Sequence, residues 1–208
     1  MSNPEFRRGF LLGTVALANA LWFISFYITW GVFWFKIAFS AAILAGVALW
    51  VDSDQKPPVR VDLNSFLIGL TSATALYLIF WTGKYLSTVL FPFAHDQIGA
   101  IYGKGEGTPV WIIIFLLFFV TGPSEEFYWR GYLQRKLMRR FGNWQGWLLA
   151  TVIYAGVHLW SFNVMLIGAA GVAGAFWGAM YWRLGNLGPV IISHSLWSSV
   201  IFAVFPMS

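Results

Sequence analysis

Two adjacent glutamates and an arginine stand at the end of a long apolar run. The stretch TGPSEEFYWRG, residues 121–131, follows directly on PVWIIIFLLFFV, a segment suited to the interior of a lipid bilayer. A charged side chain inside a transmembrane segment costs about 2.5 to 3.5 kcal/mol on insertion scales. Glu126 and Arg130 are four residues apart, so they can pair along one helix face. Glu125 lies about 140° around the helix from Arg130, which leaves this second carboxylate to find another partner.

Histidines are the natural partners for a spare intramembrane carboxylate. Two of the three histidines lie in apolar segments, His158 in VIYAGVHLW and His194 in VIISHSLWSSV, whereas His95 stands beside Asp96 in a mixed region that suits a solvated loop. A lone intramembrane histidine usually makes a packing hydrogen bond, but two of them with a spare glutamate indicate a shared polar site. Such a set can activate water by general base catalysis. The same residue types can also bind Zn²⁺.

The composition indicates the kind of element that must position these residues. The chain has 208 residues, of which 59% are hydrophobic, 20% aromatic and 10% charged, and its mean hydropathy is +0.69. A soluble domain carries roughly 25% charged residues. We therefore expect an all-α, polytopic transmembrane helix bundle. The formal charge of +5 does not indicate nucleic-acid binding, because the basic residues flank apolar runs rather than forming a stripe. The absence of cysteine excludes disulfides, thiolate metal sites and cysteine nucleophiles.

About seven apolar segments are long enough to span a bilayer, which takes roughly 20 residues. They cover residues 10–30, 32–51, 63–81, 109–129, 146–162, 164–182 and 187–206. We expect short or re-entrant helices and a loop outside the bilayer core in residues 84–107, and a basic amphipathic stretch at the membrane surface in residues 132–144. Within this single membrane domain, we expect residues 1–108 to form N-terminal spans with an outer region, and residues 109–206 to form a catalytic helical core.

Charge distribution and small residues add expectations about orientation and packing. The triplet Ala18-Asn19-Ala20 is similar to a signal-peptidase site, but the apolar run continues to Trp30, so we expect a retained first span. With a cytoplasmic N-terminus and seven spans, nine basic residues lie on the inner side and three on the outer side, as the positive-inside rule requires. The small residues Ala170, Gly174 and Gly178 recur every four positions, which predicts close helix packing in the sixth span.

Three ordered motifs carry a family resemblance: Glu125-Glu126-x-x-x-Arg130-Gly131, Tyr154-x-x-x-His158 and His194-x-x-x-Ser198. In this order and spacing they resemble the motifs of the CAAX protease and bacteriocin-processing (CPBP) family, intramembrane proteases that include the Rce1-like enzymes. The resemblance covers about residues 109–206. The second motif usually begins with Phe, where this chain has Tyr154. The third often ends in Asn, where this chain has Ser198, whose shorter side chain reaches less far.

The resemblance implies an intramembrane endopeptidase with assigned roles for each motif. The first glutamate and the first histidine of the family activate a water for attack on a peptide carbonyl, which implies Glu125 and His158 here. The second histidine stabilises the oxyanion, a role that falls to His194. By the same resemblance, Ser198 is a second oxyanion donor.

The remaining charged pair, Glu126 with Arg130, is implied to orient the site. Zinc chemistry is the alternative to a glutamate-based mechanism, with Glu125, His158 and His194 as ligands. The sequence contains no H-E-x-x-H helix, and it identifies no carboxylate that would hold either histidine from its other ring nitrogen. We therefore expect no cofactor, and we keep Zn²⁺ as the alternative.

A different class of function also uses intramembrane Glu, Arg and His residues. Proton relays in transporters are built from them, and some CPBP-like proteins have immunity or scaffolding roles, so a non-proteolytic membrane protein is the alternative. Transporters often contain inverted repeats, whereas no internal repeat is found in this chain. The expected partners are membrane lipid and a membrane-anchored protein or peptide substrate, such as a C-terminal tail, a leader or a sorting peptide. The short loops suggest a multi-pass protein of a prokaryotic cytoplasmic membrane.

Overall fold

The chain is helical throughout the part that the computed structural model describes, namely the backbone of residues 4–207 and the side chains of residues 10–53 and 55–207. No strand occurs in that range, which confirms the all-α prediction. The helices of the described residues are α1 (Pro4–Phe26), α2 (Phe33–Val51), α3 (Leu63–Leu90), α4 (Ala94–Tyr102), α5 (Val110–Phe141), α6 (Asn143–Val157), α7 (Val164–Leu184) and α8 (Leu187–Val204). Residues 1–3 lie outside the described part, as do the side chains of Arg7 and Arg8, two of the nine basic residues expected on the inner side.

Five of the described helices, α2, α3, α5, α7 and α8, are long and apolar enough to cross a membrane. The apolar part of α1, Phe10–Phe26, is shorter, and α6 has only 15 residues before a 3₁₀ turn, His158–Ser161, extends it. The multi-pass architecture is therefore supported, but the predicted number of about seven spans is not confirmed. Of the other two predicted segments, α6 is shorter than the roughly 20 residues that a span takes, and α1 has 23 residues but a described apolar part of only Phe10–Phe26.

Several predicted boundaries are wrong, each for a physical reason. Helix α3 continues to Leu90, so residues 84–90 are helical and only the rest of the mixed region forms the separate helix α4. Helix α5 continues without a break to Phe141, so residues 132–141 are not a separate surface stretch. Hydropathy falls at these positions, but Leu, Gln, Arg, Lys and Met are all good helix formers, and the helix therefore continues beyond the apolar segment.

Two packed hydrophobic clusters hold the helices together. The first joins α1, α2, α5 and α6, and buries side chains such as Trp22, Leu44 and Leu133. The second joins α3, α7 and α8 around Leu76 and Trp177. Helix α2 packs on α5, and α3 packs on α8, so helices from the N-terminal part lie against the helices that carry the three motifs. The division of the chain near residue 108 stays a prediction.

The stripe of small residues on α7 brings its backbone close to α5 and α6, as predicted. A Cβ atom added at Gly174 would lie 2.8 Å from Cδ1 of Tyr154 on α6. One added at Gly178 would lie 2.8 Å from Oε1 of Gln134 on α5 and equally close to Trp147. Real Cβ atoms do not approach other atoms this closely, so a larger residue at either position would force its neighbours to shift. This approach fixes α7 beside the two helices that carry the first two motifs.

Candidate active site

The first motif lies where α5 departs from regular α-helical geometry. A π-helical segment, Leu116–Thr121, precedes the short α-helical stretch Gly122–Glu126, and a second π-helical segment, Phe127–Gln134, follows it. Pro123 has no backbone N–H to continue the ladder at this point, and π-helical segments often occur at functional sites. Gly122 brings α5 against α8, because a Cβ atom there would lie 3.1 Å from the Cα atom of Ser195. The acidic pair is thereby placed beside the third motif.

Glu126 is the centre of a buried polar cluster. Its side chain is 0% exposed, and its Oε1 atom accepts a 2.8 Å hydrogen bond from Nη1 of Arg130, which is 2% exposed. The pairing predicted from their four-residue spacing is therefore confirmed. Arg130 also donates through Nη2 to the carbonyl of Gly174 at 3.2 Å. The same Oε1 atom accepts from Nδ1 of His194 at 2.6 Å. Glu126 thus joins α5 to the helix of the third motif.

His194 is held on two sides. Its Nδ1–H donates to Glu126, so Nε2 is the ring nitrogen left for a ligand. Its ring stacks on Trp177 with centroids 3.8 Å apart and planes 16° apart, and Trp177 in turn donates from Nε1 to Ser193 at 3.1 Å. The expectation that no carboxylate holds either histidine is wrong for His194, because Glu126 does so. Sequence spacing did not indicate this contact, which joins residues 68 positions apart.

Glu125 faces a different partner from the one that the sequence suggested. Its Oε2 atom accepts a 2.9 Å hydrogen bond from the hydroxyl of Tyr154, and neither histidine hydrogen-bonds to it in the described part of the chain. Glu125 is 5% exposed and lines the same cavity as His158 and His194. The structure therefore brings the predicted residues around one cavity, with Tyr154 as the direct contact of the carboxylate.

His158 lies at the end of α6, in the 3₁₀ turn that follows it. Its Nδ1 atom is 2.8 Å from the carbonyl oxygen of Tyr154, which makes Nδ1–H the donor and leaves the lone pair on Nε2. That lone pair accepts a long, 3.4 Å hydrogen bond from the indole N–H of Trp22 on α1. The ring of Phe26, also on α1, lies 5.6 Å from the imidazole ring. The N-terminal helix therefore contributes to the site, a role for which the sequence gave no chemical signal.

A cavity of about 380 Å³ with predominantly apolar walls is lined by Glu125, Tyr154, His158 and His194. Ser198 lies in its wall one helical turn beyond His194. Helix α4 and the 3₁₀ turn that follows it contribute Ile98, Tyr102 and Lys104 to another part of the wall. Lys104 lies over the ring of Phe33 at 5.0 Å, and burial lowers the pKa of its ammonium group. The outer region is thus part of the enclosure around the polar residues.

The arrangement does not fit a zinc site. The described residues contain no group of three or more His, Cys, Asp and Glu side chains disposed to hold a metal ion. Glu125, His158 and His194 line one cavity, but they do not form such a group.

One family model matches the part of the chain that carries the three motifs. Residues 107–200 match the family model described as type II CAAX prenyl endopeptidase Rce1-like. These residues are similar to the Rce1-like family. The match includes all three motifs and confirms the resemblance to CPBP proteases. No curated protein and no solved structure gives a match.

The Rce1-like family implies an intramembrane CAAX-type endopeptidase, and so a membrane-associated protein that acts on a peptide or protein substrate. The Rce1-like segment supplies Glu125, His158 and His194, which line the cavity, together with the Glu126 and Arg130 pair beside it. Outside the segment, Trp22 is the contact that motif analysis missed. Within the segment, the missed feature is the hydroxyl of residue 154, whose only signal was a Tyr where the family usually has Phe.

Proposed function

We propose that the protein is an intramembrane endopeptidase in which Glu125 and His158 activate the water that attacks a peptide bond. The observation that carries this proposal is the meeting of Glu125, His158 and His194 at one buried cavity with apolar walls. A carboxylate in such a place can hold a single water beside a bound peptide bond, apart from bulk solvent. The Rce1-like family match supports the same class of reaction.

The attack step uses the carboxylate oxygen that the protein leaves open. Tyr154 occupies Oε2 of Glu125, so Oε1 is the oxygen that accepts a proton from water. The Nε2 lone pair of His158 is a second acceptor for the same water. To accept from the water, it gives up its hydrogen bond from the indole N–H of Trp22. The resulting hydroxide adds to the carbonyl carbon, and the carbonyl oxygen becomes an oxyanion.

Stabilisation of the oxyanion falls to the third motif. His194 donates its Nδ1–H to Glu126, and this contact leaves its other ring nitrogen, Nε2, for the oxyanion. Nε2–H then donates to the oxyanion, and the hydroxyl of Ser198 is the second donor. When the tetrahedral intermediate collapses, Glu125 returns its proton to the leaving nitrogen and the C–N bond breaks. Arg130 holds Glu126 in place throughout this sequence.

No cofactor is required by this reaction, and we propose that the enzyme is a glutamate-type protease. The protein would act in the cytoplasmic membrane of a prokaryote. A peptide segment with apolar side chains suits the walls of the cavity, and a C-terminal tail, a leader or a sorting peptide of a membrane-anchored protein would provide one.

The test of this proposal is the variant Glu125→Gln, which keeps the size of the side chain and removes the base. Comparison of membrane-protein termini in cells with and without the protein first identifies the cleaved bond. We expect Glu125→Gln to insert and remain folded while cleavage at that bond stops. The matched control is Glu106→Gln, which changes a glutamate outside the motifs and should leave cleavage unchanged. Normal processing by Glu125→Gln would overturn the proposed reaction and would favour a scaffolding or transport role.

A further inference from the structure

Tyr154 contacts both residues of the proposed base, Glu125 and His158. Its hydroxyl donates to Oε2 of Glu125 at 2.9 Å. Its backbone carbonyl accepts from Nδ1 of His158 at 2.8 Å. One residue of α6 therefore fixes a carboxylate on α5 and an imidazole on the following turn. The carbonyl contact would survive in any residue, but the hydroxyl contact requires a tyrosine.

The ring of Tyr154 is held so that its hydroxyl has one position. Trp129 packs edge-on against it with centroids 5.0 Å apart, and the guanidinium of Arg130 lies 4.9 Å from its centre. On the third side, Gly174 leaves room for the ring, because a Cβ atom there would lie 2.8 Å from Cδ1 of Tyr154. A ring confined on three sides by rigid groups acts as a fixed hydrogen-bond donor rather than a mobile one.

We propose that Tyr154 is a positioning residue for the proposed reaction. Its hydroxyl holds Oε2 of Glu125 so that Oε1 faces the cavity, and it keeps its own proton throughout the catalytic cycle. This inference rests on the proposed function, because it assigns a role to Tyr154 only if Glu125 is the base. The other charged or titratable groups that face Glu125 are Glu126 and Arg130 from α5 and His194 from α8, and all three are already joined to one another.

A second geometric argument separates Tyr154 from those groups. Arg130 and His194 both hydrogen-bond to Oε1 of Glu126, and neither hydrogen-bonds to Glu125 in the described structure. The hydroxyl of Tyr154 is therefore the protein donor that sets the orientation of the Glu125 carboxylate. Without it, rotation about the last side-chain bond of Glu125 becomes free, and the carboxylate presents the correct oxygen for only part of the time.

The experiment is the variant Tyr154→Phe, assayed in liposomes with a quenched fluorogenic peptide built on the bond mapped in cells. A buried hydrogen bond to a charged group contributes enough that its loss should lower kcat about tenfold to a hundredfold. The peptide does not touch the hydroxyl in this scheme, so KM should stay within about twofold. The matched control is Tyr181→Phe, which removes the hydroxyl of another buried tyrosine on α7, and its kcat should be unchanged.

A double-mutant cycle with Glu125→Asp distinguishes positioning from a general loss of packing. The shorter carboxylate of Glu125→Asp withdraws from the hydroxyl, so adding Tyr154→Phe to it should lower kcat by less than twofold. Equal losses in both backgrounds, or a wild-type kcat for Tyr154→Phe alone, would overturn this inference and leave the proposed protease intact. If Glu125→Gln itself keeps its activity, the proposed function fails first, and the two failures are thereby distinguished.

Discussion

Removal of Arg130 should lower the stability of the whole protein as well as its activity. Glu126 has no exposed surface, and Arg130 supplies one of the two hydrogen bonds to its Oε1 atom. Breaking a buried ion pair by removing one partner typically costs about 3 to 5 kcal/mol, because the other charge stays buried. His194 remains on Glu126, so we expect Arg130→Met to lie near the lower end, at about 3 kcal/mol. For a chain of this length, that corresponds to a fall in Tm of about 6 to 12 °C.

Intrinsic tryptophan fluorescence during heating is the assay, since the chain contains 13 Trp residues. The protein is compared in one detergent with Arg183→Met, which changes an exposed arginine near the end of α7 and should leave Tm within about 1 °C. The double variant Glu126→Gln with Arg130→Met removes both charges. It should recover part of the lost stability, because no uncompensated carboxylate stays buried.

Two outcomes would refute the reasoning about this pair. One is a Tm for Arg130→Met equal to that of the wild-type protein, which would mean that the buried pair contributes nothing to stability. The other is a double variant that is less stable than Arg130→Met by the full cost of a second independent change. That result would show that Glu126 is stabilised by groups other than Arg130, with His194 as the remaining candidate in the described structure.

Two further predictions test packing and metal dependence. Gly178→Ala should lower the free energy of unfolding by about 1 to 3 kcal/mol, because its Cβ would overlap Gln134 and Trp147. The control is Gly168→Ala on the same helix, whose Cβ meets nothing within 4 Å. It should be neutral or slightly stabilising in the same unfolding assay. Dialysis against a chelator should leave peptide cleavage unchanged, with the metal content measured before and after. Activity that is lost on dialysis and returns with Zn²⁺ alone would contradict the glutamate-type mechanism.

The sequence predicted those contacts that depend on spacing within one helix. Glu126 and Arg130 are four residues apart, and any helix through them brings the two side chains together. The motif order also predicted that Glu125, His158 and His194 would lie on three different helices. The partner of Glu125 could not be predicted in this way, because the side chain that faces it depends on how α6 is rotated about its own axis relative to α5.

Helix ends were predicted less well because two different properties set them. A hydropathy window ends a span where polar residues begin, but the helix itself continues as long as the residues have high helix propensity. The basic end of α5 is an example, since Lys136 bonds to Asp52 at 2.5 Å and Arg135 pairs with the same carboxylate. This contact joins the end of α5 to the loop after α2. A charged stretch that looks like a surface helix in sequence is here the continuation of a spanning helix, fixed by an acid 83 positions earlier.

The acidic pair shows how neighbouring residues of one type acquire different chemistry from their surroundings. Successive residues on a helix point about 100° apart, so Glu125 and Glu126 face different elements. Glu126 accepts two hydrogen bonds from cationic or titratable donors and is therefore committed to holding the cluster together. Glu125 accepts one hydrogen bond, from the neutral hydroxyl of Tyr154, and keeps an oxygen for the cavity. Oε2 of Glu126 also lacks a hydrogen-bond partner, but Glu126 is fully buried and is not among the residues that line the cavity. A base must exchange a proton with a bound water in every cycle, so Glu125, the carboxylate that lines the cavity, is the one that the arrangement leaves able to do so.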